Sequence, residues 1–240
     1  MAVTSLNPNA SAVSVAMATL ASVYPIGRLV HVGYGKGQSD VCGWTALPFD
    51  SAVVIDAQPV KDSVVLDHPD IEVIQTIVSA EGGTRDFTES SLKRENSLRT
   101  PEQLRAVYPH VKHVKTTPKD TKALADCVSD LDSVNWVIID CEPASAILPA
   151  LKSIPQLDVV LCVGESVIED PDLNHQFTEA GFRSIQCVDA RGDHALFVRD
   201  GVNLKRQLSS VKGSETEALS RVKALEDELS SVKGSESEAL

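Results

Sequence analysis

The chain has 240 residues, 42% of them hydrophobic and 23% charged, with 22 Lys and Arg against 34 Asp and Glu. A net charge of −12 leaves no basic footprint for nucleic-acid phosphates or an anionic membrane surface, so neither is an expected partner. No apolar run approaches the roughly 18 residues of a membrane-spanning helix, and no Lys or Arg precedes Arg28, so no secretory leader is expected and the predicted setting is cytoplasmic.

In chain order, residues 10–23 (ASAVSVAMATLASV) predict a helix that ends before Pro25 and Gly27. Short β-branched runs then alternate with polar stretches. Strands are predicted at Arg28–Val32, Ala52–Ile55, Glu72–Val78, Trp136–Ile139, Val159–Val163, Ser184–Val188 and Ala195–Val198. Helical connectors are predicted at Pro101–Ala106, Lys119–Leu131, Ala144–Ile154 and Asp172–Ala180. The unbroken hydrophobicity of VVI, WVII and VVLCV suits strands buried on both faces, as in a parallel sheet. The alternation therefore predicts an α/β fold with a mostly parallel sheet. Asp189–Asp193 is turn-rich and predicts an antiparallel hairpin at the sheet edge.

Two stretches carry candidate chemistry. In LVHVGYGKG, residues 29–37, a strand runs into Gly33, Gly35 and Gly37, which permit a tight turn and a close backbone approach to a ligand. The second strand then delivers Asp56, a carboxylate suited to accept from both hydroxyls of a ribose. The same residues also suit a plain tight turn with an Asp closing a loop. In VNWVIIDCEPASAILPAL, residues 134–151, a buried strand delivers Asp140 and Glu142 at its carboxyl end. Two carboxylates there can act as base, metal ligand or hydrogen-bond acceptor, or favour the following helix N-terminus.

The remaining candidates are structural. Cys42, Cys127, Cys141, Cys162 and Cys187 form no C-x-x-C pair and read as small thiols in a reducing compartment. No metal site is expected: His110 and His113 are three apart but read as a surface pair. Trp44 and Trp136 read as core residues.

Composition changes near residue 203. SSVKGSETEAL (209–219) recurs as SSVKGSESEAL (230–240), 21 residues or three heptads later. With Leu208 at position a, Val222 and Leu229 also fall at a, and Val211, Ala218, Leu225 and Val232 at d. Residues 204–240 are thus expected to form a self-associating coiled coil, with residues 1–203 as a globular domain, and the natural chain is expected to continue past Leu240. Glu215 and Glu236 at a, and Gly213 and Gly234, weaken the stripe.

Over most of residues 27–201 the chain resembles the FkbM family of S-adenosylmethionine-dependent methyltransferases. The family's D-V-G-A-N-x-G is similar to His31-Val32-Gly33-Tyr34-Gly35-Lys36-Gly37, and its acidic residue after strand two to Asp56. Its "als…G…f…sS" stretch resembles Val78-Ser79-Ala80-Glu81-Gly82-Gly83 through Phe87 and Asn96-Ser97-Leu98. Its K-x-D-x-E-G resembles Ile138-Ile139-Asp140-Cys141-Glu142-Pro143. The resemblance implies a Rossmann-like fold, S-adenosylmethionine as cofactor and O-methylation of a sugar or glycan hydroxyl. It also implies a cofactor site at His31, Gly33, Gly35, Gly37 and Asp56, with Asp140 and Glu142 as catalytic carboxylates. His31 stands where the family has an acid, Ile138 where it has Lys, and Pro143 where it has Gly. Residues 58–70 (QPVKDSVVLDHPD) leave room for hardly more than one helical turn. These departures imply a second reading, a catalytically inactive domain serving as a binding or assembly module on a coiled coil.

Overall fold

The computed structural model describes residues 12–34, 43–91, 96–141, 143–163, 171–189 and 192–199, with Arg221 and Lys223; of residues 107, 113, 114, 171–173, 186–189 and 192–194 it describes the backbone only. The chain divides into two units, Met1–Arg199 and Asp200–Leu240. The second, with the predicted coiled coil, lies outside the described residues except for Arg221 and Lys223, both helical.

The first unit is built on a seven-stranded sheet. Its strands are β1 (Ile26–Val32), β2 (Phe49–Asp56), β3 (Ile71–Gln75), β7 (Val134–Ile139), β8 (Val159–Val163), β9 (Phe182–Asp189) and β10 (Gly192–Arg199). They lie in the order β3-β2-β1-β7-β8-β10-β9. All pairs from β3 to β8 are parallel, and β10 is antiparallel to both β8 and β9. This is a Rossmann-like α/β sheet with an antiparallel hairpin at one edge. β1 lies between β2, reached by the next crossover, and β7, reached only after β3 and a long excursion. The strand order therefore reverses at β1, the point where open α/β sheets place ligands beyond the carboxyl ends of their strands.

Burial on both faces explains the continuous apolar runs. Val30, Val32, Val53, Ile55, Val137, Ile139, Val160, Cys162 and Phe197 join one core cluster, with Leu124, Leu148, Leu151 and Phe177 packed on them. Leu29, Val54, Trp136, Ile138, Leu161 and Leu196 join the other, covered by Val13 and Met17 of α1 (Ala12–Val23) and by Trp44. Successive residues of a strand point to opposite faces, so both faces of these strands must be apolar.

A second sheet fills the excursion before β7. It consists of β4 (Val78–Ser79), β6 (His113–Ala123) and β5 (Gly83–Ser90), in that order. Here two expectations are corrected. Glu72–Val78 is not one strand: β3 ends at Gln75, and Val78 opens β4 in the second sheet. Lys119–Leu131 is not one helix: β6 runs to Ala123, Leu124–Cys127 is a single α turn (α4), and Leu131 opens a 3-10 turn, Leu131–Ser133. β5 and β6 carry Thr, Ser, Lys and Asp on both faces, so no alternation marks them as strands. Pro118 is tolerated in β6 because β4 pairs only with Lys122 and Ala123, leaving one side of β6 open at Pro118. What stabilises this sheet is a set of hydroxyls. Ser79 Oγ and Thr121 Oγ1 lie 2.8 Å apart, Thr121 Oγ1 donates to the Gly83 carbonyl at 2.8 Å, and Thr88 Oγ1 donates to the Arg99 carbonyl at 2.8 Å. Ser97 bridges Thr88 by two backbone bonds, so the "als…G…f…sS" stretch converges on this one small sheet.

Ala144–Ile154 is likewise not one helix. It forms a 3-10 turn, Ala144–Ala146, and a single α turn, α5 (Leu148–Leu151), with Pro149 at its start. Proline cannot supply the hydrogen bond that would join the two turns. The other helices are α2 (Ser63–Leu66), α3 (Pro101–Val107, with a Thr100–Gln103 capping box) and α6 (Pro171–Glu179).

Candidate functional site

The carboxyl ends of β1, β2 and β7 bring three of the sequence-derived candidates into one row. The Gly33 N–H donates to the Ile55 carbonyl at 2.8 Å, and the Asp140 N–H donates to the Val32 carbonyl at 2.8 Å. Asp56 closes β2, its carbonyl accepting from the Thr76 N–H at 2.8 Å. Gly33 thus sits between Asp56 and Asp140, whose strands are separated by two inter-strand spacings, about 10 Å. By strand alternation His31, Asp56 and Asp140 fall on the same face of the sheet.

Each candidate has a local reason for its place. Gly33 has φ +90°, and a β-carbon there would lie 2.6 Å from both Asp140 C and Cys141 Cβ. No other residue fits, because the chain leaving β7 passes directly against it. Asp56 is buried, and its Oδ1 accepts from the Gln58 N–H at 2.7 Å, an Asx turn that shapes the exit from β2. Asp140 is buried as well. Gly35, Gly37 and Glu142 lie outside the described residues.

His31 is 2% exposed, and its Nδ1 accepts from the Trp44 Nε1–H at 3.1 Å. The neutral ring must therefore carry its proton on Nε2, where the donor is buried without an acceptor. Burial pushes its pKa down to about 3, because it strips the charged imidazole of its hydration.

Two residues outside the sequence-derived set complete this corner. Tyr34, 3% exposed, meets the His31 ring edge-to-face at 5.0 Å, and its hydroxyl donates to Asp62 Oδ2 at 2.7 Å. Asp62 also caps α2, accepting from the Val64 N–H at 3.0 Å. The segment 58–70 holds that single helical turn, as its length requires. The signal for Tyr34 is its size, an aromatic side chain set between two glycines. Trp44 and Trp136 are fully buried, as core residues should be. Among the described residues, no three His, Cys, Asp or Glu are placed to hold a metal ion, and no helix is long and apolar enough to cross a membrane.

No family model and no curated protein matches the sequence. Among solved structures, one similar chain is described as a ribosomal RNA methyltransferase from Plasmodium falciparum, at 8% identity and TM-score 0.37, covering 78% of this chain and 94% of that one. Such an overlap is too loose to place a residue, and the fold assignment rests on strand order and direction.

Proposed function

We propose that residues 1–203 are an S-adenosylmethionine-dependent O-methyltransferase domain of FkbM type, acting in the cytoplasm on a sugar or glycan hydroxyl. The observation that supports this is the row Asp56–Gly33–Asp140 across the point where the strand order reverses. Among the described residues, Gly33 and Asp56 fit the cofactor: a backbone turn at the end of β1 beside a carboxylate at the end of β2, able to accept from a ribose diol. When bound, S-adenosylmethionine supplies a methyl group on a sulfonium. The chain's own work is to hold the acceptor oxygen in line with that carbon, which accounts for much of the rate in a displacement of this kind. Asp140, with Glu142 beside it in sequence, would orient the acceptor hydroxyl and take its proton.

Titration calorimetry of the intact chain with S-adenosylmethionine and S-adenosylhomocysteine tests this. Binding in roughly the micromolar range should weaken about tenfold or more in Asp56→Asn, which keeps the acceptor for the Gln58 N–H but loses the charge. One observation favours the second reading, an inactive binding or assembly module. Tyr34, His31 and Trp44 fill the corner beneath the end of β1, with Tyr34 tied to the shortened β2–β3 connection. A folded chain that binds neither compound supports that module and removes the enzyme.

We also propose that residues 204–240 self-associate as a coiled coil. Light scattering of the intact chain should give a multiple of 25.7 kDa. Leu225→Lys with Leu229→Lys, at d and a, should return it to one chain per particle. Equal masses for the two would remove the coiled coil.

A further inference from the structure

At the other end of the sheet lies a pocket of about 390 Å³ that the proposed chemistry does not use, lined in part by Leu148, Leu151, Lys152, Phe177, Ala180 and Arg199. The backbone fixes its position: the Arg199 N–H donates to the Asp158 carbonyl just ahead of β8, at the amino ends of the parallel strands. The floor is apolar. Phe177 stacks on Phe197 at 3.9 Å and 14° and meets the edge of Phe182 at 5.6 Å, and Leu148 and Leu151 are buried beside them.

Two cations stand at this floor. The Arg199 guanidinium lies 4.9 Å over the Phe182 ring, and its Nη1 donates to the Pro155 carbonyl at 3.0 Å, so its charge is held in place. Lys152 follows α5 on the exposed side. The acid on the lining, Glu179, has its Oε1 3.3 Å from His175 Nε2. On this lining two cations, Lys152 and Arg199, stand against one acid, Glu179, in a chain of net charge −12.

We infer that this pocket binds a small amphipathic anion, a carboxylate on a medium-length hydrocarbon or aromatic body. Its volume is within the range of small-molecule sites, about 300–1,000 Å³. Phe177, Leu148 and Leu151 take the apolar body, and Lys152 and Arg199 take the carboxylate. The site is independent of the methyltransferase reading, because the two lie at opposite ends of the strands.

Octanoate is the probe, titrated into the intact chain below its micellar concentration, with octylamine and octanol as isosteric controls. Octanoate should bind with one-to-one stoichiometry, and octylamine at least about tenfold more weakly. Lys152→Gln, an exposed change, should weaken octanoate about fivefold, the effect of one partly screened charge contact. Ala180→Phe, placed on the exposed rim, should block binding without disturbing the core, and Gln176→Trp serves the same purpose if Ala180→Phe fails to fold. Absence of octanoate binding, equal binding of octylamine, or binding unchanged by Lys152→Gln and by the filling variant would overturn the inference.

Discussion

Gly33→Ala should destabilise the domain by about 3–5 kcal/mol, placing it among the most damaging single substitutions this chain can carry. Two costs add. A residue with a β-carbon held at φ +90° is strained by about 1–3 kcal/mol. The new carbon would also stand 2.6 Å from Asp140 C and Cys141 Cβ, where the nearest atoms are mostly backbone and cannot rotate away. Relief requires moving the exit of β7, and Asp140 with it. Gly181→Ala separates the two costs: Gly181 has φ +82° but nothing within 4 Å of an added β-carbon. Urea unfolding should show Gly181→Ala losing only the backbone part. Equal losses for the two variants would mean that the contact between β1 and β7 at Gly33 is not tight.

Acid should destabilise the protein through His31. Its pKa falls from 6.5 in the unfolded chain to about 3 in the folded one, because burial disfavours the charged ring. Between those values the unfolded chain binds the extra proton, so stability is full above pH 6.5 and declines as pH falls toward 3. The total loss is on the order of 5 kcal/mol at 1.36 kcal/mol per unit. His31→Gln keeps a side-chain oxygen for the Trp44 N–H but cannot titrate. The difference in unfolding free energy between the parent and this variant should therefore narrow as pH falls from 7 to 4, since the carboxylates are common to both. A difference that stays constant with pH would show that His31 is protonated, or solvated, in the folded state.

His31 also shows where motif reading stops. Its place in the glycine stretch suggests a group facing a ligand, and the strand does carry it to the correct end of the sheet. Whether a side chain at the penultimate position of β1 faces a crevice or the core depends on what packs over it. Here Trp44, from a 3-10 turn before β2, supplies the hydrogen bond, and Tyr34 the ring contact. Neither partner is implied by the spacing of the glycines.

The sequence by itself determined the layers: apolar β-branched runs too continuous for a one-sided strand, separated by helix-forming stretches, require a parallel sheet covered on both faces. It also determined that Asp56 and Asp140 would emerge at strand ends, because each follows such a run directly. Tertiary structure decided the rest. The polar strands β5 and β6 have no hydrophobic period, and they are held by hydroxyl pairs, Ser79 with Thr121 and Thr88 with Thr116, that form once the chain has folded back. Proline cut the expected helix after β7 into single turns. The row Asp56–Gly33–Asp140 required the strand order to reverse at β1, a long-range pairing choice that no local window of residues encodes.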